Sequence, residues 1–128
     1  MTKLRPRFFV AAAVAGSLVA SQAQAQGTTV CTATLSQVAQ DSGGTVLARL
    51  NGYGAPFHIC NVEGSFHTIA ANTCRAWLSK LLTAYGTKRV VEFQFNRALA
   101  PNANMSSTCS GADFDWFPRI PSMISVLQ

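Results

Sequence analysis

Residues 74–86 read Cys-Arg-Ala-Trp-Leu-Ser-Lys-Leu-Leu-Thr-Ala-Tyr-Gly. In this stretch Cys74, Trp77, Leu78, Leu81, Leu82 and Tyr85 recur at i, i+3, i+4, i+7, i+8 and i+11. An α-helix turns once in about 3.6 residues, so the six side chains fall on one continuous apolar stripe. The spacing predicts a single amphipathic helix, begun by Asn72 or Thr73 as a cap and ended at Gly86. Trp77 and Tyr85 lie on the stripe and are expected in the core.

On both sides of this helix the period changes to two. Val30 to Val38 sets Cys31, Ala33 and Leu35 against Thr32, Thr34 and Ser36, the signature of a half-buried strand. Asp41-Ser42-Gly43-Gly44 is a turn, and Val46, Ala48 and Leu50 then alternate with Leu47 and Arg49, so the two runs predict a hairpin. After the turn Asn51-Gly52-Tyr53-Gly54, the run Phe57-His58-Ile59-Cys60 places Phe57 and Ile59 on one face. Beyond the helix, Lys88 to Phe95 opposes Val91, Phe93 and Phe95 to Val90, Glu92 and Gln94. A long polar stretch from Asn96 to Pro121 precedes a last apolar run, Met123 to Leu127. The sequence shows no internal repeat and no low-complexity tract.

The first 25 residues read as a cleaved signal peptide. Lys3, Arg5 and Arg7 precede a 13-residue apolar run, Phe8 to Ala20, and Ala23-Gln24-Ala25 offers the small residues of a cleavage site. Thirteen residues fall short of the roughly 20 that span a bilayer, so no stable membrane insertion is expected once the leader is removed. The remaining domain, 26–128, is predicted to be secreted or periplasmic. Its charge is +2, because three of the ten Lys and Arg leave with the leader and seven face five Asp and Glu. The basicity of the whole chain thus belongs mostly to the leader, and Arg89, Arg97 and Arg119 are scattered, which argues against nucleic acid as a partner. All four cysteines lie in the domain, where an oxidising compartment predicts two disulfides. Their spacings of 29, 14 and 35 residues lack the short pairs of a zinc site, so neither metal nor cofactor is expected.

The order strand, strand, strand, helix, strand, strand in about 100 residues predicts a mainly β domain with one helix. It matches the OB-fold, a five-stranded Greek-key barrel with its helix between strands three and four. Four cysteines allow three connectivities. In such a barrel the first strand runs antiparallel to the fourth, which brings Cys31 to the loop holding Cys109. Cys60, ending strand three, then reaches Cys74 in the first helical turn. The predicted bridges are Cys31 to Cys109 and Cys60 to Cys74.

With the helix Cys74 to Gly86, the strand Lys88 to Phe95, then Cys109 and a terminal strand, the chain resembles small exported OB-fold proteins typified by the B subunits of bacterial A-B toxins, particularly the subtilase-cytotoxin type. The resemblance spans most of residues 30–127 and rests on element order and cysteine placement rather than on a diagnostic motif. It implies a glycan-binding subunit that assembles as a homo-pentamer.

Few residues suggest chemistry. His58 and His67 are the only histidines, with Ser65 and Glu63 nearby, but no nucleophile elbow is present and no catalytic residue is assigned. A small hydrolase using one of these histidines is the third-ranked reading. Asp113 and Asp115 flank Phe114 without a calcium-loop pattern and read as solvated loop carboxylates. Trp116 and Phe117, in a polar loop, can stack on the apolar face of a sugar or anchor a protein contact; the competing expectation is that they fold back over the barrel mouth. The candidate binding residues are therefore Tyr53, Asp113, Asp115, Trp116 and Phe117. The leading expectation is an exported non-catalytic module that binds a cell-surface glycan or a protein through the loop from Asn96 to Pro121 and the turn around Tyr53. The alternative is a periplasmic inhibitor or accessory protein that docks on a protein partner.

Overall fold

Each alternating run of the sequence is a strand whose apolar side faces inward. The computed structural model describes residues 27–128; the expected signal peptide and its processing point before Gln26 lie outside the described residues. In chain order the elements are β1 (Thr28–Gln40), β2 (Thr45–Leu50), β3 (Phe57–Asn61), α1 (Ala71–Thr87), β4 (Val90–Asn96) and β5 (Met123–Val126). The five strands form one antiparallel sheet in the order β3-β2-β1-β4-β5. The fold is mainly β with one helix.

β1 has two partners in succession. Thr28 to Thr34 pairs with β4, and Leu35 to Gln40 pairs with β2, with a register shift between Leu35 and Gln37. Such an irregularity bends a strand and increases its twist, and it falls where β1 passes from one partner to the other. The inner face of the sheet supplies Cys31, Leu35, Val46, Ala48, Leu50, Phe57, Ile59, Val91, Phe93 and Phe95, all buried. Phe57 sits among three other rings, with centroids 5.5 Å from Phe93, 5.9 Å from Phe95 and 4.6 Å from Phe114. Burying one such ring contributes about 1.5–3 kcal/mol from area alone.

The helix closes over this core by packing mainly on β1, with further contacts to β3, β4 and β5. Its ends differ from those predicted. Ala70 is the N-cap and offers no side-chain bond, while Asn72 and Thr73 lie within the first turn. The C-terminal cap is Lys88, in the left-handed region at φ 56°, and not Gly86. The Lys88 N–H donates to the carbonyls of Ala84 and Tyr85, and its ammonium lies 4.5 Å from the Tyr85 ring centre. These contacts offset the strain of a side chain at positive φ. The stripe is also rotated: Cys74, Leu81 and Ala84 are buried, Trp77, Leu78 and Tyr85 are half-buried, and Leu82 is exposed. Trp77 and Tyr85 therefore rim the core rather than fill it.

Both predicted disulfides are present, Cys31–Cys109 and Cys60–Cys74. The first ties β1 to the segment between β4 and β5, and the second pins the first turn of α1 to β3. They close loops of 78 and 14 residues. In the chain-entropy account the long loop is worth about 4–5 kcal/mol and the short one about 3 kcal/mol. The double replacement Cys60→Ser with Cys74→Ser is accordingly expected to lower unfolding stability by about 3 kcal/mol in a urea titration. The loss for Cys31→Ser with Cys109→Ser should be larger.

The β1–β2 turn carries its own pH dependence. Asp41 Oδ1 accepts hydrogen bonds from the N–H groups of Gly43 and Thr45, each at 2.8 Å. The bond from Thr45 is the chief cause holding this carboxyl below its ordinary value of 3.8. A depressed carboxyl favours the folded state above its unfolded pKa, and that support disappears as pH falls through the folded value. Amide exchange at Gly43 and Thr45 is thus expected to lose protection selectively below about pH 4, and Asp41→Asn should reproduce much of the loss at neutral pH.

Candidate functional site

The polar stretch between β4 and β5 is organised by three buried polar residues. Asn102, Asp113 and Arg119 have their side chains inside, where an unpaired polar group costs about 1–3 kcal/mol. Each is paired within the segment. The Asn102 Nδ2 donates to the Ile120 carbonyl at 2.7 Å, and its Oδ1 accepts from the Ile120 N–H at 3.0 Å. The Asp113 carboxylate accepts from the N–H of Ser106, the N–H of Ser110 and the Ser106 hydroxyl. Arg119 donates from Nε to the Asp113 carbonyl at 2.6 Å and from Nη1 to the Pro101 carbonyl and the Asn104 side chain, both at 2.7 Å. Burial lowers the Arg119 pKa, partly opposed by the nearby Asp113 carboxylate, yet a guanidinium remains charged at neutral pH.

Asp113 and Arg119 thereby clamp the two ends of a five-residue knuckle, Phe114-Asp115-Trp116-Phe117-Pro118. Phe114 turns inward and is buried against Phe57. The knuckle backbone is stitched to β3 and the turn before it: Ala55 N–H donates to the Phe114 carbonyl, Trp116 N–H to Pro56, His58 N–H to Phe117 and Arg119 N–H to His58. Trp116 stands at φ 60°, a left-handed conformation costing a bulky residue about 1–3 kcal/mol. Its indole is 58% exposed and the neighbouring Phe117 ring 50% exposed. The Arg119 guanidinium carbon lies 5.7 Å from the centre of the Phe117 ring.

The sequence-based candidates separate accordingly. Trp116, Phe117 and Asp115 are brought together on an exposed surface. The expectation that the two aromatics fold back as a lid is corrected, because the inward position is taken by Phe114. Asp113 is also corrected: at 5% exposure its carboxylate is an internal support, not a solvated group. Tyr53 is half-buried and packs edge-on against Phe114 at 6.0 Å, so it borders the knuckle. His58 sits within β3, whereas His67 occupies an exposed turn at φ 52°. In the sequence Arg119 is one of several scattered cations, and nothing there singles out Asn102. The Ser110-x-x-Asp113 spacing of a capping box is legible in the sequence and marks Asp113, whereas no periodicity marks Asn102 or Arg119.

Among the described residues no group of three or more His, Cys, Asp or Glu side chains could hold a metal ion. None of the described helices is long and apolar enough to cross a membrane. No protein-family model, curated protein or solved structure matches this chain.

Gly54 locks the turn against the knuckle. A Cβ there would stand 2.8 Å from both the Gly111 and the Phe114 carbonyl oxygens, closer than any methyl can approach backbone. Gly54→Ala is expected to displace residues 111–117 and to lower stability by about 1–3 kcal/mol. Asp113→Ala, which leaves the Ser106 and Ser110 N–H groups without their acceptor, should cost about 1–3 kcal/mol. Urea unfolding gives both values, and tryptophan emission reports the movement of Trp116.

Proposed function

We propose that this chain is an exported, non-catalytic binding module, built as an OB-type Greek-key barrel, that uses the Trp116–Phe117 knuckle to bind a cell-surface glycan. One observation carries the reading. Trp116 is held on the surface by an ordered backbone in a strained conformation, beside a second exposed ring. Strain maintained by surrounding hydrogen bonds is commonly found where a side chain must be presented. An aromatic face matches the apolar face of a sugar ring, the adjacent Asp115 carboxylate is suited to its hydroxyl groups, and Tyr53 borders the knuckle through Phe114.

The barrel reading is supported by a parallel bridge between His58 of β3 and Pro118, formed by the paired bonds of His58 with Phe117 and Arg119. This bridge brings the chain that enters β5 alongside β3, the two edges of the sheet, as closure requires. Export is supported by the leader pattern and by two disulfides, which persist in oxidising compartments. A ring of five such subunits, as the toxin-subunit resemblance implies, would multiply weak single-site contacts.

The measurement is glycan-array binding by the disulfide-intact protein, with light scattering for assembly. Binding to defined glycans is expected, falling about tenfold or more in Trp116→Ala and less in Phe117→Ala. Trp116→Gly, which accepts φ 60° without strain, should abolish binding while holding or raising the melting temperature. Glycan binding indifferent to Trp116→Ala would overturn the reading. Binding confined to a protein partner would favour the inhibitor or accessory alternative instead.

A further inference from the structure

A separate groove of about 310 Å³ opens between the start of α1 and the segment that leads into β5. Its walls are Ile69, Trp77, Leu99, Ala100, Ile120 and Pro121, none of which belongs to the Trp116–Phe117 knuckle. We propose that this groove binds a small uncharged aromatic molecule carrying one hydroxyl, lodged against Trp77 with its polar end at Thr68 and Thr73.

Size, charge and hydrogen-bond supply each narrow the occupant. A volume of 310 Å³ stands at the small end of ligand pockets, which run from about 300 to 1,000 Å³. No charged side chain lines it, so an ionised group would lose water without gaining a partner. Several polar groups of the lining are already engaged, the buried Asn102 among them. The Asn102 amide is spent on Ile120, the Ser122 hydroxyl donates to the Gln94 carbonyl, and Asn96 Oδ1 accepts from the Ala98 N–H. A sugar, which needs several donors and acceptors, is poorly served there. Thr68 and Thr73 remain at the exposed rim, next to the half-buried Trp77 indole. Against an indole an aromatic guest gains about 0.5–1.5 kcal/mol beyond its buried area, which favours a ring over an alkyl chain.

The arrangement also accounts for Trp77 standing at the rim of the core. Rotation of the helix stripe turns Cys74, Leu81 and Ala84 inward and leaves the indole half-buried as a wall. Leu99, 49% exposed on the opposite side, is the other large apolar group that a guest would cover.

The test is an NMR titration of the ¹⁵N-labelled, disulfide-intact protein with benzyl alcohol and, in parallel, benzoate. The expected result is a saturable shift of the Trp77 indole N–H and of amides at 68–69, 99–100 and 120–122, with the Trp116 indole unmoved. Benzoate should bind about tenfold or more weakly, because its carboxylate must be desolvated. Thr73→Phe, a change at an exposed position that fills the groove mouth, should weaken benzyl alcohol about tenfold or more. A Trp77 signal that does not saturate, equal binding of benzoate, or binding unchanged by Thr73→Phe would each overturn the proposal. Since the two indoles resonate separately, glycan binding at Trp116 stands or falls independently of this result.

Discussion

β1 is the strand on which the rest of the molecule depends, because it hydrogen-bonds to β4 along its first half and to β2 along its second. One continuous strand thereby joins two half-sheets. The shift between Leu35 and Gln37 marks the change of partner, and such an irregularity bends a strand and increases its twist. Cys31, near the start of this strand, extends the same control outward through its disulfide to Cys109. A strand that is simultaneously a hydrogen-bonding partner for two others and a covalent anchor leaves few alternative registers open, since a slip by one residue would turn Cys31 and Leu35 out of the core.

Core and surface are coupled through the aromatic residues. Phe57, Phe93 and Phe95 come from strands, but the fourth ring, Phe114, comes from the segment between β4 and β5. Its burial draws that segment onto β3, and the segment then gives β3 the backbone partners that Pro56 and His58 need. The same segment projects Trp116 and Phe117 outward. The inward Phe114 and the outward Trp116 and Phe117, two and three residues on, are thus two consequences of one clamp, formed where Asp113 and Arg119 satisfy their buried polar groups.

Those polar groups take the place of regular secondary structure. From Arg97 to Ser122 the chain has two short 3₁₀ turns, Asn102–Asn104 and Gly111–Asp113, and an isolated bridge at Pro118. Loops of this length in a small domain are generally ordered by side-chain bonds and cross-links. Here Asn102 replaces a strand partner for Ile120, Asp113 forms a capping box with Ser110, and the guanidinium of Arg119 collects carbonyl oxygens from two separate stretches.

The sequence by itself determined the elements. Alternation identified the inward residues of β1, β2, β3 and β4, the 3.6-residue stripe identified α1, and element order with cysteine placement predicted the two bridges that the structure contains. Such features are local or nearly so, because the period of a side-chain pattern follows from the geometry of one strand or helix. Tertiary structure alone decided the rest. Lys88 rather than Gly86 ends the helix because its N–H finds the Ala84 and Tyr85 carbonyls, and Leu82 stays outside because the helix rotates to bury Ala84. Trp116 and Phe117 remain exposed because Pro56 and His58 arrive from distant positions to bind the backbone of their segment, while Asp113 is held inside by the nearby Ser106 and Ser110. A hydrogen bond between remote segments has no period, so the position of these side chains emerges only when the chain has folded.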